Sequence, residues 1–202
     1  MRNHNLKTEL IDKSQLFPTE EELSARVGRR VRTDDGELLP IIRAVVEASE
    51  PRVVYARCAV RRTESGAVDL GFGEIVSASL GKFLCGADEA VVFAVTLGAE
   101  VDRLIKRMSV RSSADGFLCD AIASAVAERA ADEGEEIALG GERGRRFSPG
   151  YGDFPLECQR ALLSYLDSSA TVGVFLTDSL LMSPMKSVSA VARKGEARLR
   201  QL

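Results

Sequence analysis

The sequence predicts a mixed domain in which helices pack on strands. Leu38, Leu39, Ile41, Ile42, Val45 and Val46 recur at helical spacing up to Glu50-Pro51. Ala90-Val91-Val92-Phe93-Ala94-Val95-Thr96-Leu97 is an unbroken apolar run of the kind that fills a central strand, and Gly98 ends it. Residues 52–60 are rich in β-branched and aromatic side chains, and Glu64-Ser65-Gly66 turns the chain back into residues 67–70. A hairpin is expected there.

In chain order, residues 1–18 read as a polar N-terminal arm with one apolar island, Leu16-Phe17, either draped over the body or disordered when free. Thr19-Glu20-Glu21-Glu22 is a capping-box pattern and Gly28 a stop, so a short helix runs between them. Thr33-Asp34-Asp35-Gly36 is a turn into the second helix, whose Pro40 falls in the first turn, where proline is tolerated. Residues 77–84 make a short helix closed by Cys85-Gly86. After the central strand, Val101, Leu104, Ile105 and Met108 give a helix whose other face carries Asp102, Arg103, Lys106 and Arg107 and is solvated.

The next helix, residues 113–132, is dominated by small side chains: Ala121, Ala123, Ala125, Ala127, Ala130 and Ala131 surround Ile122 and Val126. Asp120, Ser124 and Glu128 stand four apart and share one face of it. A solvent face is the simpler account, although this helix leads directly to the loop described below and could line its cleft. Gly134 and Gly140-Gly141 then break the chain. Further on, Leu162, Leu163 and Leu166 mark the buried side of a helix over residues 156–166, and Val172-Gly173-Val174-Phe175-Leu176 reads as a strand. Residues 182–192 read as a loop followed by a last strand, and residues 193–200 as a solvated basic tail.

Composition excludes several classes of function. The chain has 202 residues, 45% hydrophobic and 28% charged, which suffices for one well-buried core or two small lobes. A formal net charge of -3 gives no general pull toward nucleic acid or an anionic membrane. Cys58, Cys85, Cys119 and Cys158 form no C-x-x-C pair, and His4 is the single histidine, so neither a zinc site nor a disulfide framework is signalled. A free cysteine is more often a small buried apolar residue than a reactive thiol. No run approaches the roughly 20 apolar residues of a membrane span, and the reducing cytoplasm is the expected compartment.

The costly residue types gather in Arg146-Phe147-Ser148-Pro149-Gly150-Tyr151-Gly152-Asp153-Phe154-Pro155. Proline locks φ and removes a donor, while glycine permits positive φ and close approach of a ligand to the main chain. Arg146 adds a planar charged fork that suits a carboxylate, and Tyr151 a flat face with a polar tip. An ordinary Pro/Gly turn with a surface arginine accounts for the same spacing about equally well.

The decision comes from a wider pattern. Arg146-Phe147-Ser148-Pro149-Gly150-Tyr151, then Leu176-Thr177-Asp178-Ser179, then Met182, Pro184 and Ser187-Val188-Ser189 resemble, in order and spacing, the C-terminal activation domain of cobalamin-dependent methionine synthase. Phe93-Ala94-Val95-Thr96 and the alanine-rich helix are similar to that domain too. Residues 90–191 carry the resemblance and residues 19–89 match weakly, so residues 19–202 are expected to form one domain behind the arm.

The resemblance implies an α+β fold, a twisted, largely antiparallel sheet with surrounding helices, and a shallow groove for S-adenosylmethionine. In that family a flavodoxin-type donor reduces inactive cob(II)alamin, and S-adenosylmethionine traps the product as methylcobalamin. The methyl transfer pulls an unfavourable reduction forward. The domain's own task is then placement, and no residue is assigned a catalytic or metal-binding role.

Carried over by position, Arg146 pairs with the methionyl carboxylate, Ser148 and Gly150 give main-chain contacts, and Tyr151 lies beside the ligand on the side that meets the corrin. Ser124 stands where the family has an acidic residue that contacts the ligand, a change that removes a charged hydrogen bond usually worth about 1–3 kcal/mol. Asp120 and Glu128 lie one turn to either side. The chain also lacks the Asp-x-His-x-x-Gly motif of cobalamin modules. The expectation is therefore a stand-alone reactivation subunit acting in trans on a cobalamin-dependent methionine synthase or another corrinoid protein. The alternative is a non-catalytic docking module that has lost the ligand. An independent methyltransferase ranks last, because no glycine-rich strand-to-helix motif appears.

Overall fold

The computed structural model describes residues 6–28, 30–32 and 36–194. His4, the turn expected at Thr33-Asp34-Asp35 and tail residues 195–200 lie outside the described residues. The arm supplies a strand, β1 (Lys7–Leu10), and a 3-10 turn (Lys13–Leu16), ahead of α1 (Glu20–Val27) and α2 (Leu38–Ala48). Next come β2 (Arg52–Ala59), the short strands β3 (Arg61–Arg62), β4 (Val68–Asp69) and β5 (Glu74–Ile75), α3 (Ala78–Phe83) and β6 (Glu89–Thr96). Two long helices follow, α4 (Ala99–Arg111) and α5 (Ser113–Ala138). The chain then runs through β7 (Gly144–Phe147), α6 (Cys158–Tyr165), α7 (Ser168–Thr171), β8 (Phe175–Leu176), β9 (Met182–Ser183) and β10 (Ser187–Lys194).

The fold is α+β. Its main sheet runs β1-β2-β6-β10-β7 with every neighbouring pair antiparallel, and helices cover both faces. The central strand β6 is buried at every position after Glu89, which is why its sequence reads as continuous rather than alternating. Phe93 and Val95 face the layer of α2, α4 and α5, while Val92 and Ala94 face the layer of α3 and α6, as the period of two requires. α1 carries the expected capping box, with Thr19 Oγ1 accepting from the Glu22 N–H at 3.2 Å and Glu22 Oε2 accepting from the Thr19 N–H at 2.7 Å. Gly28 closes it at φ 76°.

Of the two alternatives for the arm, the draped one holds from residue 6 onward: β1 extends the sheet beyond β2, and Leu16 is fully buried beneath α5 and α2. Three other expectations are corrected. The hairpin expected over residues 52–70 splits in two, because β2 pairs with β1 and β6 while only Arg61–Arg62 turns back onto Val68–Asp69. The strand expected over residues 172–176 shrinks to β8, which pairs with β9 in a separate two-stranded ribbon. Gly134, expected to break the chain, lies inside α5, where a Cβ would stand 2.4 Å from Val95 Cγ2. The glycine permits a close helix–sheet crossing that no other residue fits.

Candidate functional site

β10 is only half covered. It pairs with β6 from Ser187 to Ala192, but β7 reaches it only from Val191 to Lys194. The outer edge of residues 187–190 therefore has no strand partner among the described residues. β7 stops at Phe147 because Ser148-Pro149-Gly150 turns the chain out of the sheet, with Gly150 at φ 92° and Gly152 at φ 56°. Proline cannot continue a ladder and both glycines occupy the left-handed region.

The loop that leaves the sheet is tied to itself and to its floor. The Gly150 N–H donates to Phe154 O at 2.8 Å, the Tyr151 N–H to Ser148 O at 3.1 Å, and the Phe154 N–H to Tyr151 O at 3.0 Å. Phe147 stacks between Phe83 at 5.5 Å and Phe154 at 6.1 Å, and Phe154 is fully buried. Asp153 accepts from Ser77 Oγ at 2.6 Å and from the N–H groups of Ala78 and Ser79 at 2.8 and 3.0 Å. It thereby satisfies donors at the start of α3 that the helix itself leaves open. Tyr151 projects from the loop, at 64% exposure. Since the Gly150 amide is committed inside the loop, its carbonyl is the main-chain group left for a ligand.

The hydrogen bond from the Ser77 hydroxyl, helped by the Ser79 and Ala78 amides, holds the Asp153 carboxyl well below the usual range. A depressed folded-state pKa contributes stability that is present above the unfolded value of about 3.9 and is lost as pH falls through the folded value. Loop amides at residues 150–154 are expected to lose hydrogen-exchange protection in acid below about pH 4, ahead of the sheet. Asp153→Asn should show that weakened protection already at neutral pH, and equal protection in both proteins would contradict the assignment.

Arg146 points to the other face of the sheet, toward α5. Its guanidinium donates to Asp132 Oδ1 at 2.5 Å, Glu135 Oε2 at 3.2 Å and Glu128 Oε2 at 2.9 Å, and the other Glu128 oxygen accepts from Arg26 Nη2 of α1 at 3.0 Å. Burial works to lower the Arg146 pKa, but the contacts with Asp132, Glu128 and Glu135 outweigh it and raise it. Ser124 lies one turn from Glu128 on the same face. Its hydroxyl donates to the Asp120 carbonyl at 3.0 Å and accepts from Lys186 Nζ at 2.9 Å. Lys186 also pairs with Asp120 Oδ1 at 2.9 Å.

The predicted residues fall in two groups, with Arg146 opposite Ala192 in the covered half of β10. Ser148, Gly150 and Tyr151 form the wall where β7 ends, and Arg146 and Ser124 face the same strip of α5. Asp120, Ser124 and Glu128, for which a solvent face was the simpler account, each have a partner from outside the helix. Sequence reasoning missed Lys186, Asp132 and Glu135. The acids at 128, 132 and 135 recur at helical spacing and were legible as one stripe; Lys186 carries no such signal.

Other features lie apart from this edge. A cavity of about 290 Å³ lies at the far end of β10, lined by residues including Arg57, Glu89, Leu139 and Lys194. Burial pushes the Cys58 thiol up to about 12 and Cys119 to about 11, so both are inert apolar packing. Among the described residues no group of three His, Cys, Asp or Glu side chains is placed to hold a metal ion, and no helix is long and apolar enough to cross a membrane.

No family model and no curated protein matches the chain. Among solved structures it is similar to a crystal structure of the MetH reactivation domain bound to AdoHcy, with a TM-score of 0.70 and 16% identity over 95% of this chain and 79% of that one. The likeness is one of fold, an antiparallel sheet with helices, and it extends through the N-terminal third that the sequence pattern matched weakly.

Proposed function

We propose that the chain binds S-adenosylmethionine along the open edge of β10 and assists, in trans, the reductive methylation of cob(II)alamin carried by a cobalamin-dependent methionine synthase or related corrinoid protein. The half-covered strand is the observation that carries this reading. It offers unpaired main-chain groups beside a stiff loop wall and a polar helix face. A shared fold with a domain solved bound to AdoHcy supports it.

In this reading Ser148 and the Gly150 carbonyl meet the ligand's main-chain-seeking groups, Tyr151 lies against its aromatic part, and Ser124 borders its amino-acid end. The protein's contribution is orientation: it holds the methyl donor toward a corrin presented by the partner, while a flavodoxin-type protein supplies the electron. Tyr151, exposed beside the groove, also faces that partner.

Calorimetric titration with S-adenosylmethionine tests the binding step. Saturable one-to-one binding is expected, weakened roughly two- to tenfold by Tyr151→Ala, the scale of one aromatic contact. Faster return of activity to an oxidised corrinoid partner, in the presence of reductant and ligand, tests the rest. A second reading, a docking module without the ligand, is favoured by one observation: Ser124 is covered by the Lys186 ammonium where the family has an acid. It predicts a complex with the corrinoid protein and no binding isotherm.

A further inference from the structure

At the far end of β10 from its uncovered stretch, where β6 begins, lies the cavity of about 290 Å³. Its charged lining comes from three strands: Arg57 of β2, Glu89 of β6, and Arg193 and Lys194 of β10. The rest is mainly apolar, with Ala90 and Val91 of β6 and Leu139 at the end of α5 all buried. Three cations thus face one carboxylate beside an apolar wall. The volume stands at the low end of the range of about 300–1,000 Å³ usual for ligand clefts, which suits a compact molecule.

The charges differ in what else they do. Lys194 Nζ pairs with Glu142 at 2.6 Å, and the Arg193 guanidinium stands 5.6 Å from the centre of the Phe83 ring. Arg57 and Glu89 take part in no side-chain hydrogen bond or ion pair among the described residues. The register sets them diagonally on one face of the sheet, since Arg57 stands opposite Val91 and Ala59 opposite Glu89. A Cβ added to Gly140 would lie 3.4 Å from Arg57 Nη2, so the guanidinium rests against the turn that closes α5, beside the apolar wall. It brings five N–H donors to that place, and no protein acceptor uses them.

We propose that this cavity is a second ligand site, for a compact organic oxyanion: the cationic lining, Arg57 first, holds a single carboxylate or phosphate group, and Ala90, Val91 and Leu139 take an apolar body. A planar guanidinium fork meets either oxyanion two oxygens at a time. Glu89 limits the charge the site accepts, because it repels a second anionic group on the same ligand. The proposal stands apart from the S-adenosylmethionine reading, since none of these residues borders residues 187–190 of β10. A ligand held here joins β2, β6 and β10 to the end of α5.

NMR titration of the whole chain with benzoate, phenyl phosphate, inorganic phosphate and neutral benzamide tests the site. Benzoate or phenyl phosphate should give saturable shifts at the amides of Ala87, Ala90 and Val91, and which of the two binds tighter separates a carboxylate ligand from a phosphate one. Benzamide and inorganic phosphate should each bind at least about tenfold more weakly, since the first lacks the charge and the second the apolar body. Arg57→Gln should weaken the organic anion about tenfold, and Glu89→Gln should tighten it about two- to fivefold by removing a repelling carboxylate. Both side chains are exposed, so neither exchange disturbs the core. Benzamide binding as tightly as benzoate would reveal an apolar hollow only, and inorganic phosphate matching phenyl phosphate a surface counter-ion only; either result overturns the proposal. So does the absence of saturable shifts with both organic anions, or an affinity that neither substitution changes.

Discussion

Arg146→Ala is expected to destabilise the folded chain by about 1–3 kcal/mol, the scale for leaving charged groups without a hydrogen-bond partner in a partly buried network. The side chain is 23% exposed, and its loss leaves Asp132, Glu128 and Glu135 facing one another, with Arg26 still paired to Glu128. Glu135, at 9% exposure, bears most of that cost because it is the least solvated of the three carboxylates. A second substitution, Glu135→Gln, should recover part of the loss in the alanine background while costing stability on its own, a coupling that a double-mutant cycle by denaturant unfolding reads directly. A change below about 1 kcal/mol in the single variant would place the arginine among ordinary surface pairs.

Phe154→Ala is the other large effect, about 3–5 kcal/mol for a fully buried aromatic ring. The ring is the outer member of the stack with Phe147 and Phe83, and its backbone carbonyl receives the Gly150 N–H. The cavity would loosen the wall beside the uncovered strand as well as the core. Loss of S-adenosylmethionine binding should therefore accompany the lower unfolding midpoint. Phe154→Leu, closer in volume, should cost under about 1.5 kcal/mol and keep binding. Binding unaffected by the alanine variant would mean that the loop's order does not matter to the groove.

Much of the architecture was legible because burial writes itself into residue order. β6 is apolar throughout since it is covered on both faces, and α1 announces itself through Thr19 and Glu22. β1 was illegible for the opposite reason: Lys7, Thr8, Glu9 and Leu10 are all exposed on an edge, so nothing forces a period on them. Gly134 was misread because a glycine that ends a helix and one that lets a helix touch a sheet look alike in a string. The site divides in the same way. The loop was visible from its prolines and glycines, whereas Lys186 meets Asp120 only because α4, β6 and α5 converge on it. Sixty-two residues separate Lys186 from Ser124, and no local pattern bridges that distance.

The uncovered stretch of β10 has a consequence for the chain when nothing occupies it. A strand edge with spare donors and acceptors is a template, and a second chain's strand satisfies it as readily as a ligand does. Here the template is four residues long, flanked by the Lys186 charge at one end and by the Ser148-Pro149-Gly150 corner at the other, too short and too hemmed in for an incoming strand to propagate. The same fittings that shape a small-molecule groove thus keep this stretch of β10 from serving as a template for a second chain's strand.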